Sequence, residues 1–312
     1  MCYSAQIWSA WRKFERAFKS GISLHDFAEL YGFRMADKRI KIPKAMDFAF
    51  ADPQTDDERA IKALIDEFNR QQTTELEQAL FVQRKRLADA ERSLQTKLTK
   101  AATESRRIAT DKIDWQLGKL ADLKRTEPKD SDSRIFPGWY APVLVMEEGQ
   151  RVIKPMRYQC RLAGKPAFYD TKYPGTYNAR RDNLGGFWKS LFGVSHGVMV
   201  VSRFFENVQR TEPDGTTKNL VLEFSPHDGR EMLVACLWSR WTAPGEPDLL
   251  SFAAITDEPP EEVAAAGHDR CIVPIKAEHI DAWLKLDPND LATLYAILDD
   301  RERPYYEHRM AA

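Results

Sequence analysis

The chain reads as an α+β protein with a long helical stretch set into it. Three observations carry that reading. Residues 54–117 contain neither Gly nor Pro, and their apolar positions recur mostly at steps of three, four and seven. After residues 128–133 the composition changes to short β-like runs with turn signals between them. Before residue 53, aromatic side chains recur at helical spacing.

Residues 5–35 are predicted helical. Trp8, Trp11, Phe14 and Phe18 form a stripe, and after a break at Gly21 it resumes with Phe27, Leu30 and Tyr31. Residues 36–54 read as irregular, punctuated by Pro43 and Pro53. Asp56, Asp57 and Glu58 suit the start of the next helix, where carboxylates complement the helix dipole. A single helix over 56–117 would be about 90 Å long at ~1.5 Å per residue. A fold-back is therefore expected, at Thr73-Thr74 or within 99–105, with a continuous arm as the alternative. The half after residue 83 is the more basic one (Arg84, Lys85, Arg86, Arg92, Lys97, Lys100, Arg106, Arg107). Two readings stand for it: a solvated coiled-coil face, or an arm that tracks phosphates or docks a partner.

The β-like runs are 140–146, 151–153, 197–201, 220–224, 232–238, 250–255 and 271–275, a spacing that suggests a curved sheet or barrel. Residues 277–284 and 288–298 are predicted closing helices, the second with Asp287 as N-cap. The charged tail 299–312 is expected to fray. The domain expectation is thus a first segment 1–53, a helical insertion 54–128, a β-rich remainder 129–298 and the tail 299–312.

The net charge of −1 removes global basicity as a sign of nucleic-acid binding, so any basic surface must be local. No apolar run reaches the ~18 residues of a membrane span. The N-terminus lacks a hydrophobic signal core, so cytoplasm is the expected compartment, nucleoid-associated in a bacterium. The four cysteines, Cys2, Cys160, Cys236 and Cys271, contain no CxxC pair, which argues against a zinc knuckle or redox pair. No metal or cofactor is expected.

The chemistry concentrates on Met1-Cys2. If the initiator methionine is trimmed, Cys2 carries a thiol and an α-amine on adjacent carbons. The amine, with a pKa near ~8, forms a Schiff base with an aldehyde, and the thiolate closes a five-membered thiazolidine. No internal cysteine can do this. Downstream stand three motifs: Tyr177-Asn178-Ala179-Arg180-Arg181-Asp182, Val201-Ser202-Arg203-Phe204-Phe205-Glu206-Asn207, and Gly267-His268-Asp269-Arg270-Cys271. They add an amide, a guanidinium, a carboxylate and an imidazole. Each also has a bland reading. The bland alternatives are a turn residue for Asn178, an ion pair with Arg203 for Glu206 and a satisfied core position for His268. His196 is read as structural.

Cys2, Asn178-Ala179-Arg180, a glutamate after an aromatic pair, and His268-Asp269-Arg270 before an apolar-proline strand, in this order, resemble the SOS response-associated peptidase (SRAP) family. Weaker matches keep the order at Met156-Arg157-Tyr158, Ala235-Cys236-Leu237-Trp238, 252–256 and 279–284. The resemblance covers roughly residues 1–35 and 134–290, and it implies an SRAP-like core interrupted by the helical insertion. It implies a sensor of abasic sites in single-stranded DNA, with Cys2 as nucleophile, Asn178 holding the N-terminus or the sugar, Glu206 as general acid–base and His268 assisting proton transfer. Arg180 would clamp a phosphate, with Arg181, Arg203 and Arg270 as further phosphate candidates. Trp188, Phe187, Phe192 and Tyr177 are candidates for base stacking. The implied partner is single-stranded DNA carrying abasic sites, with DNA or a protein on arm 54–128 and no membrane. Departures from the family pattern are Tyr3-Ser4 where it has Gly-Arg, Asp182 where it has Glu, and Asn207 where it has Trp. The competing functions are an N-terminal-nucleophile cysteine peptidase or amidohydrolase, and a non-catalytic interaction protein that uses the arm.

Overall fold

The computed structural model describes residues 4–7, 11–211, 214–285 and 287–311. Met1, Cys2, Tyr3 and Trp8 fall outside them. The chain divides into two compact units, Met1–Asp52 with Lys129–Ala312, and Pro53–Pro128.

The first unit opens with a strand, β1 (Ser4–Ile7), then α1 (Trp11–Phe18), β2 (Gly21–Ile22), α2 (Leu24–Ala36) and the short α3 (Lys44–Phe48). Residues 5–7 were expected to be helical. They are extended because Ala5, Gln6 and Ile7 pair with a strand some two hundred residues later, and long-range pairing overrides local helical period. Pro43 leads into α3, within a stretch that reads as irregular.

The second unit is a helical hairpin, α4 (Asp56–Thr96) and α5 (Lys100–Lys124). Both helices start on a threonine. The Thr55 hydroxyl accepts from the Glu58 N–H at 3.2 Å, and the Thr99 hydroxyl from the Ala102 N–H at 3.2 Å. The reversal is made by residues 97–99, at the edge of the second expected turn region. Thr73 and Thr74 do not turn the chain. Their hydroxyls donate to the carbonyls of Asn69 (2.8 Å) and Arg70 (3.1 Å), one helical turn back, so α4 runs on. Leu80, Ala90, Ala102, Ala109 and Leu120 are among its buried positions, and Arg86 Nε reaches across to the Ser105 hydroxyl at 2.9 Å.

The remaining chain supplies β3 (Arg134–Ile135), β4 (Tyr140–Glu147), β5 (Gln150–Tyr158), α6 (Tyr169–Lys172), β6 (Asn178–Arg180), β7 (His196–Thr211), β8 (Thr217–Pro226), β9 (Met232–Trp241), β10 (Leu249–Asp257), α7 (Glu261–Ala265), β11 (Cys271–Ile272), α8 (Ile280–Leu284), α9 (Leu291–Asp299) and β12 (Tyr306–Met310). The pairings close a ring. Parallel β10–β5 is followed by antiparallel β5–β4, β4–β7, β7–β9 and β9–β10. A closed ring leaves these strands no free edge. The protein is therefore α+β, built on a curved barrel-like sheet. β4 and β7 approach closely at Gly197, where a Cβ would meet Val143 Cγ1 at 2.7 Å.

Strand β7 is longer than the run that signals it. Beyond Val201 it leaves the ring and continues between β1 on one side and β8 on the other. β12 then covers β8. The charged tail is thus a strand rather than a frayed end, because Tyr306 is buried and packs edge-on against Phe204 with ring centroids 5.2 Å apart. The N-cap of α9 is Asp290, which accepts from the Thr293 N–H at 3.2 Å. Asp287 instead closes a local turn onto the Asn289 N–H at 2.8 Å.

Candidate active site

Side chains alternate along β7, so Phe204, Glu206 and Val208 share one face. All three are buried, and Glu206 is 0% exposed. The phase of the strand therefore forces a carboxylate into an apolar layer. Its partner arrives from the turn after α7. Gly267 takes φ +97°, a left-handed conformation that ends the helix and sets the next residue over β7. His268 Nε2 then lies 3.0 Å from Glu206 Oε2, with the histidine side chain 8% exposed.

His268 Nδ1 lies 2.9 Å from the Arg270 carbonyl oxygen, and the Arg270 N–H points at the same nitrogen from 3.3 Å; the shorter contact suits an Nδ1–H donor. In a neutral ring Nε2 is then an acceptor, as is an ionised carboxylate. The 3.0 Å approach couples the two groups electrostatically, so they do not act independently. Burial pushes the His268 pKa below its usual range, opposed by the Arg270 carbonyl, so the imidazole form dominates at neutral pH.

Strand β1 ends beside this couple. Ser4 is paired with Phe205, one residue from Glu206, and is buried. Arg134 Nε donates to the Ser4 hydroxyl at 3.2 Å, and its guanidinium stacks 3.7 Å from the centroid of the Phe205 ring. Cys2 itself lies outside the described residues.

Asn178 and Arg180 sit on β6, which runs parallel to β10 with Asn178 opposite Ala254 and Arg180 opposite Thr256. Asn178 is buried and accepts from the Tyr158 hydroxyl at 3.4 Å. Both residues line a recess of about 330 Å³ with Lys172, Tyr173, Phe187 and Trp188. Arg180 is half exposed and fixed by Asp182, which its guanidinium holds below the usual carboxylate range. Arg270 shares that carboxylate at 3.8 Å. So the Asn-Ala-Arg motif and the His-Asp-Arg motif meet through Asp182, where the family pattern has a glutamate.

The other candidates divide. Arg181 binds Asp257 (3.5 Å) and Asp299, tying β6 to the ends of β10 and α9. Arg203 reaches Glu223 (3.3 Å) and Asp130 (3.6 Å), not Glu206. Trp188 is only 3% exposed, and Phe192 and Tyr177 are also buried. These three rings pack the core and do not present faces for stacking. Phe187 is the exposed ring of the group, at 38%. Arg134 carries no sequence signal, and Tyr158 and Ser4 stand there only as family-pattern positions, because only the pairing of β1 with β7 and of β6 with β10 brings these side chains to the site.

His196 is structural. Its Nδ1 donates to the Trp283 carbonyl at 3.0 Å and its Nε2 accepts from the Gly193 N–H at 2.8 Å, which fixes a neutral ring. Burial depresses its pKa to about 4. Cys160, Cys236 and Cys271 are buried free thiols, each with its pKa raised chiefly by burial. Among the described residues, two surface clusters have cation-ligand spacing, His25/Asp26/Glu29 and Glu278/His279/Asp300. In each a lysine already holds a carboxylate, Lys154 on Asp26 at 3.2 Å and Lys276 on Asp300 at 2.6 Å. No helix among the described residues is long and apolar enough to cross a membrane.

Residues 93–310 match the family model described as SOS response associated peptidase (SRAP). The match excludes residues 1–92. No curated protein matches the chain. Among solved structures it is similar to a protein from Bordetella bronchiseptica at 16% identity, over 58% of this chain and 87% of that one, with a TM-score of 0.46. A protein from Bacteroides thetaiotaomicron matches at 12% identity over 58% and 78%, with a TM-score of 0.47. A phage-related protein from B. bronchiseptica matches at 16% identity over 61% and 85%, with a TM-score of 0.43.

Proposed function

The chain belongs to the SOS response associated peptidase family, and on that premise we propose that it captures ring-opened abasic sites in single-stranded DNA as a thiazolidine on Cys2. The observation that carries this reading is the buried Glu206–His268 couple at 3.0 Å, one residue along β7 from the partner of Ser4. Cys2 precedes Ser4 by two residues, and two residues span at most about 7 Å. β1 runs antiparallel to β7, with Ser4 opposite Phe205, the residue before Glu206.

The chemistry balances without a cofactor. Removal of Met1 frees the α-amine. The amine adds to the sugar aldehyde, and the carbinolamine loses water to give an imine. The Cys2 thiol then adds across the C=N bond, its proton passing to nitrogen, and the ring closes. Each step moves a proton, and a coupled carboxylate and imidazole can deliver and retrieve it. The burial of Glu206 keeps that proton from bulk water. Arg180, half exposed beside the recess that Asn178 lines, is the group that meets a flanking phosphate. Asn178 orients the sugar or the N-terminus. Arg270 holds Asp182 and through its backbone holds His268. Arg181 and Arg203 serve mainly their carboxylate partners.

The test is a denaturing gel with an abasic single-stranded oligonucleotide. The wild-type protein should give a shifted, heat-stable band, and Cys2→Ala should give none. A band of equal intensity from Cys2→Ala would overturn the proposal. Turnover of a peptide or amide without DNA would favour the N-terminal-nucleophile amidohydrolase instead.

A further inference from the structure

The helical hairpin segregates its charge along its length. Residues 84–107, around the reversal, carry eight Lys and Arg against three Asp and Glu. Residues 56–82 of the same unit carry three against seven. The cations near the reversal are not all held by neighbours. Arg92 pairs with Asp89, and Arg107 with Glu104 and Asp111. Arg84, Lys85, Lys97, Lys100 and Arg106 are exposed and have no ion-pair partner among the described residues. A hairpin end built only for solubility would interleave its signs, as the i,i+3 and i,i+4 pairs nearer the base of α4 do.

The surface between these cations is also unusual. Near the reversal, α4 and α5 leave a shallow groove floored by Ala90, Ala101 and Ala102 and edged by Phe81, Lys85 and Arg86. Phe81 is 72% exposed and Leu98, in the reversal itself, 83%. Cations beside exposed apolar groups suit a strand of nucleic acid, whose phosphates take the charges while its base or sugar faces cover the apolar groups. An acidic protein segment would also use the cations, and it is the alternative that the test below distinguishes.

We propose that the reversal end of this hairpin is a second, sequence-independent contact for the nucleic-acid backbone, distinct from the Cys2 site. This rests on the proposal that the chain acts on DNA, and the experiment separates the two. The variant is the full chain with Arg84→Gln, Lys85→Gln, Lys97→Gln, Lys100→Gln and Arg106→Gln. Glutamine keeps helix propensity close to that of Lys and Arg, and circular dichroism checks that α4 and α5 persist. The probe is an undamaged single-stranded oligonucleotide, with affinity measured across a potassium chloride series. Each lost phosphate contact lowers the slope of log K against log salt by about 0.7. Loss of three contacts would reduce the slope by about 2 and weaken binding roughly 100-fold near 0.1 M salt. Crosslinking to an abasic strand at saturating DNA should keep its wild-type yield in this variant. Unchanged affinity and slope with intact helices would overturn the inference, including the case in which the hairpin end instead docks a protein. Failure of the wild-type protein to crosslink would remove the Cys2 reading and leave the slope comparison standing.

Discussion

Replacing Glu206 by glutamine separates chemistry from packing at the proposed reaction centre. Truncation to alanine would not. Glu206 is fully buried on the Phe204–Val208 face of β7, and its carboxylate meets the His268 ring. Alanine would leave a void and strip His268 Nε2 of that contact, a loss of about 2–4 kcal/mol of stability. Glutamine has nearly the same volume, and its amide can donate to Nε2 while the Arg270 carbonyl still holds Nδ1 at 2.9 Å. Its stability should stay within about 1 kcal/mol of wild type. On the proposed mechanism, what glutamine removes is the proton that the pair passes. A general acid–base contribution is worth ~10²–10⁴ in rate, or about 3–5 kcal/mol of barrier. The assay is single-turnover crosslinking to an abasic oligonucleotide at saturating DNA, alongside thermal unfolding of each variant. The expected result is a Glu206→Gln protein that unfolds near the wild-type temperature and crosslinks at least 100-fold more slowly. Glu206→Gln with wild-type stability and wild-type rate would refute the assignment of proton transfer to this pair.

His196 gives a pH prediction. Its pKa is depressed to about 4 in the fold, so the unfolded chain binds more protons below the ordinary imidazole range. Stability is full above about pH 6.5 and falls toward pH 4 by up to about 1.4 kcal/mol per pH unit, roughly 3 kcal/mol in all. Burial lowers His268 as well, which adds to the same slope. Urea unfolding across that range should show the fall, and it should shrink in His196→Gln; a flat profile would contradict the neutral-ring assignment. Gly197→Ala should cost about 1–3 kcal/mol, because the new methyl would press on Val143 Cγ1 from 2.7 Å. Denaturant melts measure it, and a neutral effect would mean that β4 and β7 are not closely packed there. Tyr306→Ala should cost about 3–5 kcal/mol by emptying the site against Phe204. If the tail were a frayed end, the change would cost almost nothing.

Much of this architecture is written locally. The Gly- and Pro-free run over 54–117 declares a long helical insertion, with the choice of a hairpin over a continuous arm left to the reversal at 97–99, and the short apolar runs with their turns declare the sheet. The errors share one cause. Ala5–Gln6–Ile7 carries a helical aromatic pattern beside it, yet it becomes β1 because β7 lies open to pair with it. Tyr306–Met310 looks like a charged tail, yet alternate residues of β12 meet Phe204 and Phe224. Neither partner is near in sequence. The site shows the same division. Glu206 and His268 are legible as residue types in order, but the 3.0 Å contact depends on the phase of β7 and on the left-handed Gly267. Trp188 illustrates the converse. An aromatic beside a basic motif suggests stacking, and only three-dimensional packing shows that its ring is spent on the core. Asp182, a departure from the family motif, turns out to link Arg180 to Arg270.

The most direct test of the central claim is the identity of the residue that carries the lesion. The protein is reacted with an abasic single-stranded oligonucleotide, the DNA is digested to the linked sugar, and the N-terminal peptide is weighed and fragmented. The account predicts that Met1 is absent and that the sugar remnant sits on Cys2, added with loss of one water, as imine formation followed by ring closure requires. A remnant on a lysine or on Cys160, Cys236 or Cys271, or an unmodified N-terminal peptide from a crosslinked sample, would contradict it.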